Sequence, residues 1–170
     1  MSSTDFDIRY TNVLDISYLR KWLQDPQVLR WFPMTDPHEI EGPISCWMSF
    51  ARYNASLTAT CHREPCGMAT LFLMPYKKIS HHCFFKICVA PQYQRQGIGK
   101  DLIRNIKHLA KTQFHLQYLY TEVFEGNPLI SLLKKMGFEE VLRQEDYVKI
   151  DDHYSARILL RAPLQEEEVL

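Results

Sequence analysis

Val89-Ala90-Pro91-Gln92-Tyr93-Gln94-Arg95-Gln96-Gly97-Ile98-Gly99-Lys100 joins two different kinds of segment, and its reading decides how the rest of the chain is read. The apolar run Ile87-Cys88-Val89 has strand character and stops at Pro91. A loop with two glycines follows, and then the strongest helical pattern in the chain, Ile98 to Gln113. Its apolar stripe runs through Ile98, Leu102, Ile103, Ile106, Leu109 and Ala110. A loop-to-helix junction leaves the first N–H groups without helical acceptors, aimed at one point from the positive end of the dipole. Glycine lets an anion come close to that backbone without a side chain in the way. The junction reads as a site for a diphosphate.

Two common phosphate loops do not fit. A dinucleotide fingerprint needs a third glycine where the chain has Leu102, and a P-loop needs glycine at Gln94 and Ser or Thr at Asp101. A third pattern, Gln/Arg-x-x-Gly-x-Gly/Ala, is met by Gln94, Gly97 and Gly99. About thirty residues on come Glu122-Val123-x-x-x-Asn127 and a helical segment ending at Gly137-Phe138.

Around this junction the periodicities predict an α/β (α+β) chain with seven strands. Phe6 to Tyr10 reads as a first strand. Leu57 to His62, Gly67 to Leu73 and His82 to Val89 follow, joined by turns at Glu64-Pro65 and Tyr76-Lys77-Lys78. Leu119 to Val123 is a fifth, and Glu140 to Val148 with Tyr154 to Leu160 form a hairpin around Asp151-Asp152. Short connections predict antiparallel pairing. Helices are expected over Asp15 to Leu23, from Pro26 through Trp31, over Glu39 to Phe50, and over Pro128 to Met136, stopped by Gly137. The sum is a mixed, mostly antiparallel sheet with helices on both faces. Residues 1–164 are expected to form one domain, with 165–170 a disordered acidic tail.

Composition narrows the function. Twenty Lys and Arg balance twenty Asp and Glu, which argues against a nucleic-acid-binding or membrane-adsorbing face. No apolar run reaches the roughly 18–20 residues of a membrane span, and Met1-Ser2-Ser3-Thr4-Asp5 lacks a basic-then-apolar leader, so the cytoplasm is expected. Five cysteines at irregular spacing agree with a reducing compartment. Cys61-His62 with Cys66, and His81-His82-Cys83, match no zinc spacing, and no metal is expected.

At residues 82 to 160 the chain resembles the GNAT family of N-acetyltransferases, and is similar to the branch that acetylates protein N-terminal amines. The N-terminal part, with Trp22-Leu23-x-Asp25-Pro26 and Trp31-Phe32, is similar to acetyltransferases of aminoglycosides, polyamines and ribosomal-protein N-termini. The resemblance implies the acyl-CoA N-acyltransferase fold and transfer of acetyl from acetyl-CoA to a primary amine by direct attack. The acceptor would be a small amine, polyamine, amino sugar or protein N-terminus, and the protein a monomer or homodimer. It also implies that Gln94 and the backbone of Arg95, Gln96, Gly97, Ile98, Gly99 and Lys100 bind the pyrophosphate of coenzyme A. Ile87, Cys88 and Val89 would hold the pantetheine arm where their strand splays from the next, one amide polarising the thioester carbonyl. Asn127 would contact the arm and cap the helix after it.

Glu122 occupies the place of the branch's general base; a glutamate on the strand's solvent face or in an ion pair is the alternative. His81 and His82 are runners-up for the base. The family's usual tyrosine, four residues before Gly137, is replaced by Leu133, which has no proton for the departing thiolate. Tyr147 and Tyr120 are candidate substitutes, and a CoA-binding regulatory module with little turnover is the alternative function. Trp22, Trp31, Phe32, Trp47, Tyr147 and Tyr154 are candidates for the acceptor pocket, with Asp25, Glu145 and Asp151 able to attract a polyamine or amino sugar.

Overall fold

A strand that leaves its neighbour part-way along shapes this molecule. The computed structural model describes residues 5–165; the acidic stretch 166–170 lies outside them. The strands are β1 (Phe6–Tyr10), β2 (Ser56–Cys61), β3 (Glu64–Leu73), β4 (His82–Val89), β5 (Tyr118–Phe124), β6 (Glu139–Ile150) and β7 (His153–Pro163). They form one sheet in the order β1-β2-β3-β4-β5-β7-β6. Every neighbouring pair is antiparallel except β4 and β5.

That parallel pair is short. Its register holds over His82↔Tyr118, Cys83↔Leu119 and Phe84↔Tyr120 and then ends. β4 stays with β3 as far as Gly67↔Val89, and β5 stays with β7 as far as Phe124↔Arg157. Each strand follows its antiparallel partner, and the sheet opens between them. A last bond, Thr121 Oγ1 donating to the Phe85 carbonyl at 3.1 Å, sits at the fork.

Helices cover both faces. On one side α4 (Ile98–Thr112) lays the stripe read from the sequence over β2, β3 and β4, and α5 (Leu129–Lys135) adds Leu133 to the same core. Gly67 admits α4 there: a Cβ would meet Leu102 Cδ1 at 3.0 Å and the Cys88 carbonyl at 3.3 Å. On the other side α1 (Ile16–Gln24), α2 (Pro26–Leu29) and α3 (Pro37–Ser49) build a second core around Leu19, Trp22, Leu23, Ile40, Ile44 and Trp47. Among the described residues no helix is long and apolar enough to cross a membrane.

Buried hydroxyls stitch this second layer to the sheet. Trp47 Nε1 donates to Thr70 Oγ1 at 2.5 Å, and Thr70 is bonded to Ser56, Ser56 to Thr11, and Thr11 to Thr58. Thr58 donates to Asp15 at 2.9 Å, and Arg9 clamps both oxygens of Asp15 at 2.7 and 2.9 Å. This explains how β2, with Ser and Thr at alternate positions, can be buried along its whole length.

The expected turn at Glu64-Pro65 falls instead on His62-Arg63, both with left-handed backbone (φ 50° and 70°). Pro65 lies inside β3 opposite Thr60, where the register slips by one residue; a bulge is where a residue without an N–H can enter a strand. The segment from Pro26 is helical only to Leu29, and the helix expected from Glu39 begins earlier, at Pro37, capped by Asp36 accepting from the N–H of His38 and Glu39. α5 ends in a Schellman turn: Phe138 N–H reaches the Leu133 carbonyl at 3.0 Å and Gly137 N–H that of Lys134 at 3.3 Å.

Candidate functional site

The fork between β4 and β5 is the floor of a cavity of about 510 Å³, within the range of small-ligand sites. Its walls come from β4, the loop into α4, β5, the start of α5, and the stretch after α1 that carries Trp31, Phe32 and Pro33. Ligands of open sheets collect at such carboxyl ends, where neighbouring strands part company.

The α4 end of the cavity has no cap of its own. Gly97 is the N-cap residue, with φ 87° and no side-chain bond to the helix. Asp101 N–H, donating to the Gly97 carbonyl at 3.1 Å, makes the first bond of the helical ladder. The N–H groups of Ile98, Gly99 and Lys100 precede it and face outward. Arg95 also has left-handed backbone (φ 61°), which turns the loop so that successive N–H groups converge. A Cβ on Gly97 would meet no protein atom within 4 Å, so the space above the glycine is cavity. These features fit an anion such as a diphosphate: a left-handed glycine, an uncapped helix end, and Arg95 and Lys100 alongside.

Most of the expected binding residues gather here. Ile87, Cys88, Val89, Gln94, Arg95, Gly97, Gly99, Lys100, Glu122 and Asn127 all line the cavity. Gln96 and Ile98 do not: Gln96 turns back to donate to the Gln92 carbonyl at 3.2 Å, and Ile98 is wholly buried in the core, so only their backbones reach the loop's outer face. Gln94 Nε2 donates to the Val89 carbonyl at 3.1 Å, fastening the loop to the free end of β4. Beyond the fork, the β4 groups that point toward β5 have no strand to pair with. Asn127 Oδ1 accepts from Leu129 N–H at 3.0 Å and so opens α5, as its position suggested.

Glu122 stands on the β5 side of the fork with its carboxylate held: Arg157 Nε donates to Oε2 at 2.5 Å. Arg157 lies in turn under the Tyr147 ring, 5.2 Å from its centroid. The ion pair considered beside the catalytic reading is therefore present, and it is present within the cavity wall. His81 and His82 are elsewhere. They sit at the opposite end of β4, edge to face with each other and, through His82, with Tyr120. Burial, and then the neighbouring His81, hold the His82 imidazole below its ordinary value.

Leu133 is buried in the core, and the residue of that helical turn facing the cavity is Leu132. Neither can give a proton. Tyr147 and Tyr120 do not line the cavity. Of the six rings expected near an acceptor, Trp31 and Phe32 line it, Trp22 and Trp47 are core, and Tyr154 lies far along the β6–β7 hairpin beside Lys149. The three acids expected to attract an amine are also absent from the wall. Asp25 caps α2 through Gln27 N–H, Glu145 pairs with Arg143, and Asp151 shapes the hairpin turn with φ 54°. Lys86, Thr121, Phe124 and Leu132 are among the lining residues that were not expected. Lys86 carried a visible signal, the one charge within the apolar run Cys83 to Val89.

Among the described residues no three His, Cys, Asp or Glu side chains come together to hold an ion. Burial, with Cys61 adding to it, pushes the Cys66 thiol up to about 11, and burial pushes Cys83 up to about 12.

Comparison with known proteins places this geometry. The chain is 38% identical over 80 residues to an N-alpha-acetyltransferase of Sulfurisphaera tokodaii, covering 46% of each chain. It is 29% identical over 100 residues to the [ribosomal protein bS18]-alanine N-acetyltransferase of Escherichia coli K12, covering 58% of this chain and 66% of the relative. The chain thus spans about half to two thirds of the length of these curated relatives. Among solved structures, YncA of Salmonella typhimurium with its cofactor acetyl-CoA superposes with a TM-score of 0.77 at 15% identity, over 96% of both chains. Residues 16–138 match the profile of the acetyltransferase (GNAT) family, and the chain belongs to that family.

Proposed function

We propose that this protein is an N-acetyltransferase that moves an acetyl group from acetyl-CoA to a primary amine held in the same cavity. The observation that carries the reading is the uncapped start of α4 at Gly97, opening onto a cavity whose floor is the parted end of β4 and whose far side holds Glu122. The loop from Gln94 to Lys100 takes the pyrophosphate on backbone N–H groups, with Arg95 and Lys100 adding charge. Ile87, Cys88 and Val89 hold the pantetheine arm through the free edge of β4, and Asn127 closes over it. Residues 1–164 act as one domain in this reading.

Transfer forms an amide C–N bond and breaks the thioester C–S bond. An acceptor ammonium loses two protons overall: one leaves to solvent and the other ends on the CoA sulfur. Glu122 is the general base, taking the first directly or through water, and Arg157 keeps its carboxylate in place. No side chain at Leu132 or Leu133 can protonate the thiolate, so that proton comes from the acceptor nitrogen or from water. The same lack favours a second reading, a CoA-binding module with little turnover. Calorimetry with acetyl-CoA, followed by thiol release with a panel of primary amines, tests both. Binding with turnover supports the transferase, binding with no turnover on any amine supports the module, and absence of binding removes both.

A further inference from the structure

The charges lining the cavity do not balance. Lys86, Arg95 and Lys100 face it against the single carboxylate of Glu122. Arg95 and Lys100 stand at the α4 end, beside the proposed phosphate loop. Glu122 already has Arg157, so its charge is met from within the protein. Lys86 is different, because it makes no ion pair among the described residues. Its Nζ lies 5.1 Å from the Phe72 ring centroid, a contact that steadies the cation without neutralising it.

Strand alternation puts Lys86 and Glu122 on the same face of the sheet, and both line the cavity. Phe84 and Tyr120 are paired across β4 and β5, and side chains two residues further along each strand share that face. Lys86 and Glu122 therefore lie two residues past the last pair, on opposite sides of the fork, and both face the helical layer of α1 to α3. Val28, Trp31, Phe32 and Pro33 close the cavity on this side with an apolar wall. A polyamine entering here would bring further positive charge to Lys86 and Arg157, and the cavity offers it no spare carboxylate.

Building on the transferase reading, we propose that the acceptor is an amine with a carboxylate beside it, a free α-amino acid with an apolar side chain. Its nitrogen faces Glu122, its carboxylate is held by Lys86, and its side chain lies against Trp31 and Phe32. Lys86 is then the residue that selects the substrate class. A peptide N-terminus lacks the α-carboxylate, and a polyamine replaces it with another cation, so both are disfavoured by the same charge.

Thiol release from acetyl-CoA measured with leucine, methionine and phenylalanine, their carboxamides, an alanine-led tripeptide and spermidine tests this. The expected result is a kcat/KM at least about tenfold higher for the free acids than for the carboxamides, the size of a lost charge-assisted bond. Lys86→Met collapses that ratio toward one, and Lys86→Arg keeps most of it. Equal or better turnover of carboxamides, the tripeptide or spermidine by the wild type overturns the assignment. So does a Lys86→Met variant that loses acid and carboxamide activity in equal proportion, which marks a structural lysine. Acetyl-CoA affinity is measured on the same samples. Failure to bind it overturns the transferase reading itself, whereas binding with the wrong acceptor preference overturns only the role of Lys86.

Discussion

Arg157 Nε and Glu122 Oε2 lie 2.5 Å apart, joining β7 to β5 at the edge of the cavity. The pair is half-buried, so its value lies in holding a carboxylate at one point rather than in net stability. If Glu122 is the base, Glu122→Gln keeps the shape and the bond to Arg157 while removing proton affinity. The expected outcome is a fall in kcat of about 10²–10⁴-fold, with acetyl-CoA binding retained in calorimetry. Arg157→Met should lower kcat less, and Arg157→Lys should restore part of the loss. Full activity of the Gln variant across pH 6 to 9 would remove Glu122 from the chemistry.

Gly97 and Gly137 separate backbone strain from ligand contact. Both have left-handed backbone, with φ 87° and 91°. An alanine at either should cost about 1–2 kcal/mol, because a Cβ crowds the following carbonyl in that region. At Gly97 the Cβ would enter empty cavity, whereas at Gly137 it would come within 3.6 Å of Lys107 Nζ. Similar drops in melting temperature are expected for Gly97→Ala and Gly137→Ala. Acetyl-CoA affinity should fall by tenfold or more only in the first, and Gly97→Glu should abolish it. Equal affinities in the two alanine variants would show that the loop does not hold the phosphates.

Strand β4 and helix α4 were legible because each signal is local. His82 to Val89 is a mostly apolar run stopped just before Pro91, and the α4 stripe repeats for four turns. The glycine turn between them was legible for the same reason, since Gly97 takes the left-handed backbone that opens α4. The cation on Glu122 was not legible, since Arg157 lies 35 residues away and arrives only because β7 inserts between β5 and β6. The bulges in β6 were hidden too: the register with β7 shifts between Gln144 and Val148, around the left-handed Asp146, and no glycine marks the place. Leu132 and Leu133 show a finer limit. Adjacent residues on a helix point about 100° apart, so a one-residue difference in loop length decides which of them meets the cavity and which the core.

Asp15 gives the fold a predictable response to acid. Its residue is 2% exposed. Burial by itself would push its carboxyl up; the bonds from Arg9, the Asn12 N–H and Thr58, with the Arg9 charge, outweigh this and hold it below its usual range. A carboxyl depressed in the folded state contributes its full stability above the unfolded value of about 3.9, and that contribution is lost as pH falls through the lower folded value. Asp15→Asn should therefore destabilise the protein at pH 7 and make its unfolding less sensitive to pH below about 4. Thr58→Val cuts the hydroxyl chain one bond earlier and should cost about 1–3 kcal/mol. Denaturant melts at pH 3, 4, 5 and 7 check both, and an unchanged acid limb in the Asn variant would show that Asp15 does not set it.

The five thiols make the last prediction, because their settings differ widely. Cys46 is exposed on α3, while Cys61, Cys66, Cys83 and Cys88 are buried. Burial raises the thiols of Cys66, Cys83 and Cys88, so almost none of their population is thiolate at pH 8, and thiolate is the form that reacts. Native protein should therefore react with a chromogenic aromatic disulfide at one thiol within minutes, and Cys46→Ser should abolish that phase. The remaining thiols should react only as the structure opens, except that Cys88 backs onto the cavity. If slow labelling of Cys88 reports access through the fork, saturating acetyl-CoA should slow it at least tenfold in the Cys46→Ser background and leave Cys83 unaffected. Mass spectrometry of the labelled peptides distinguishes the two, and protection of neither would place the bound cofactor away from β4.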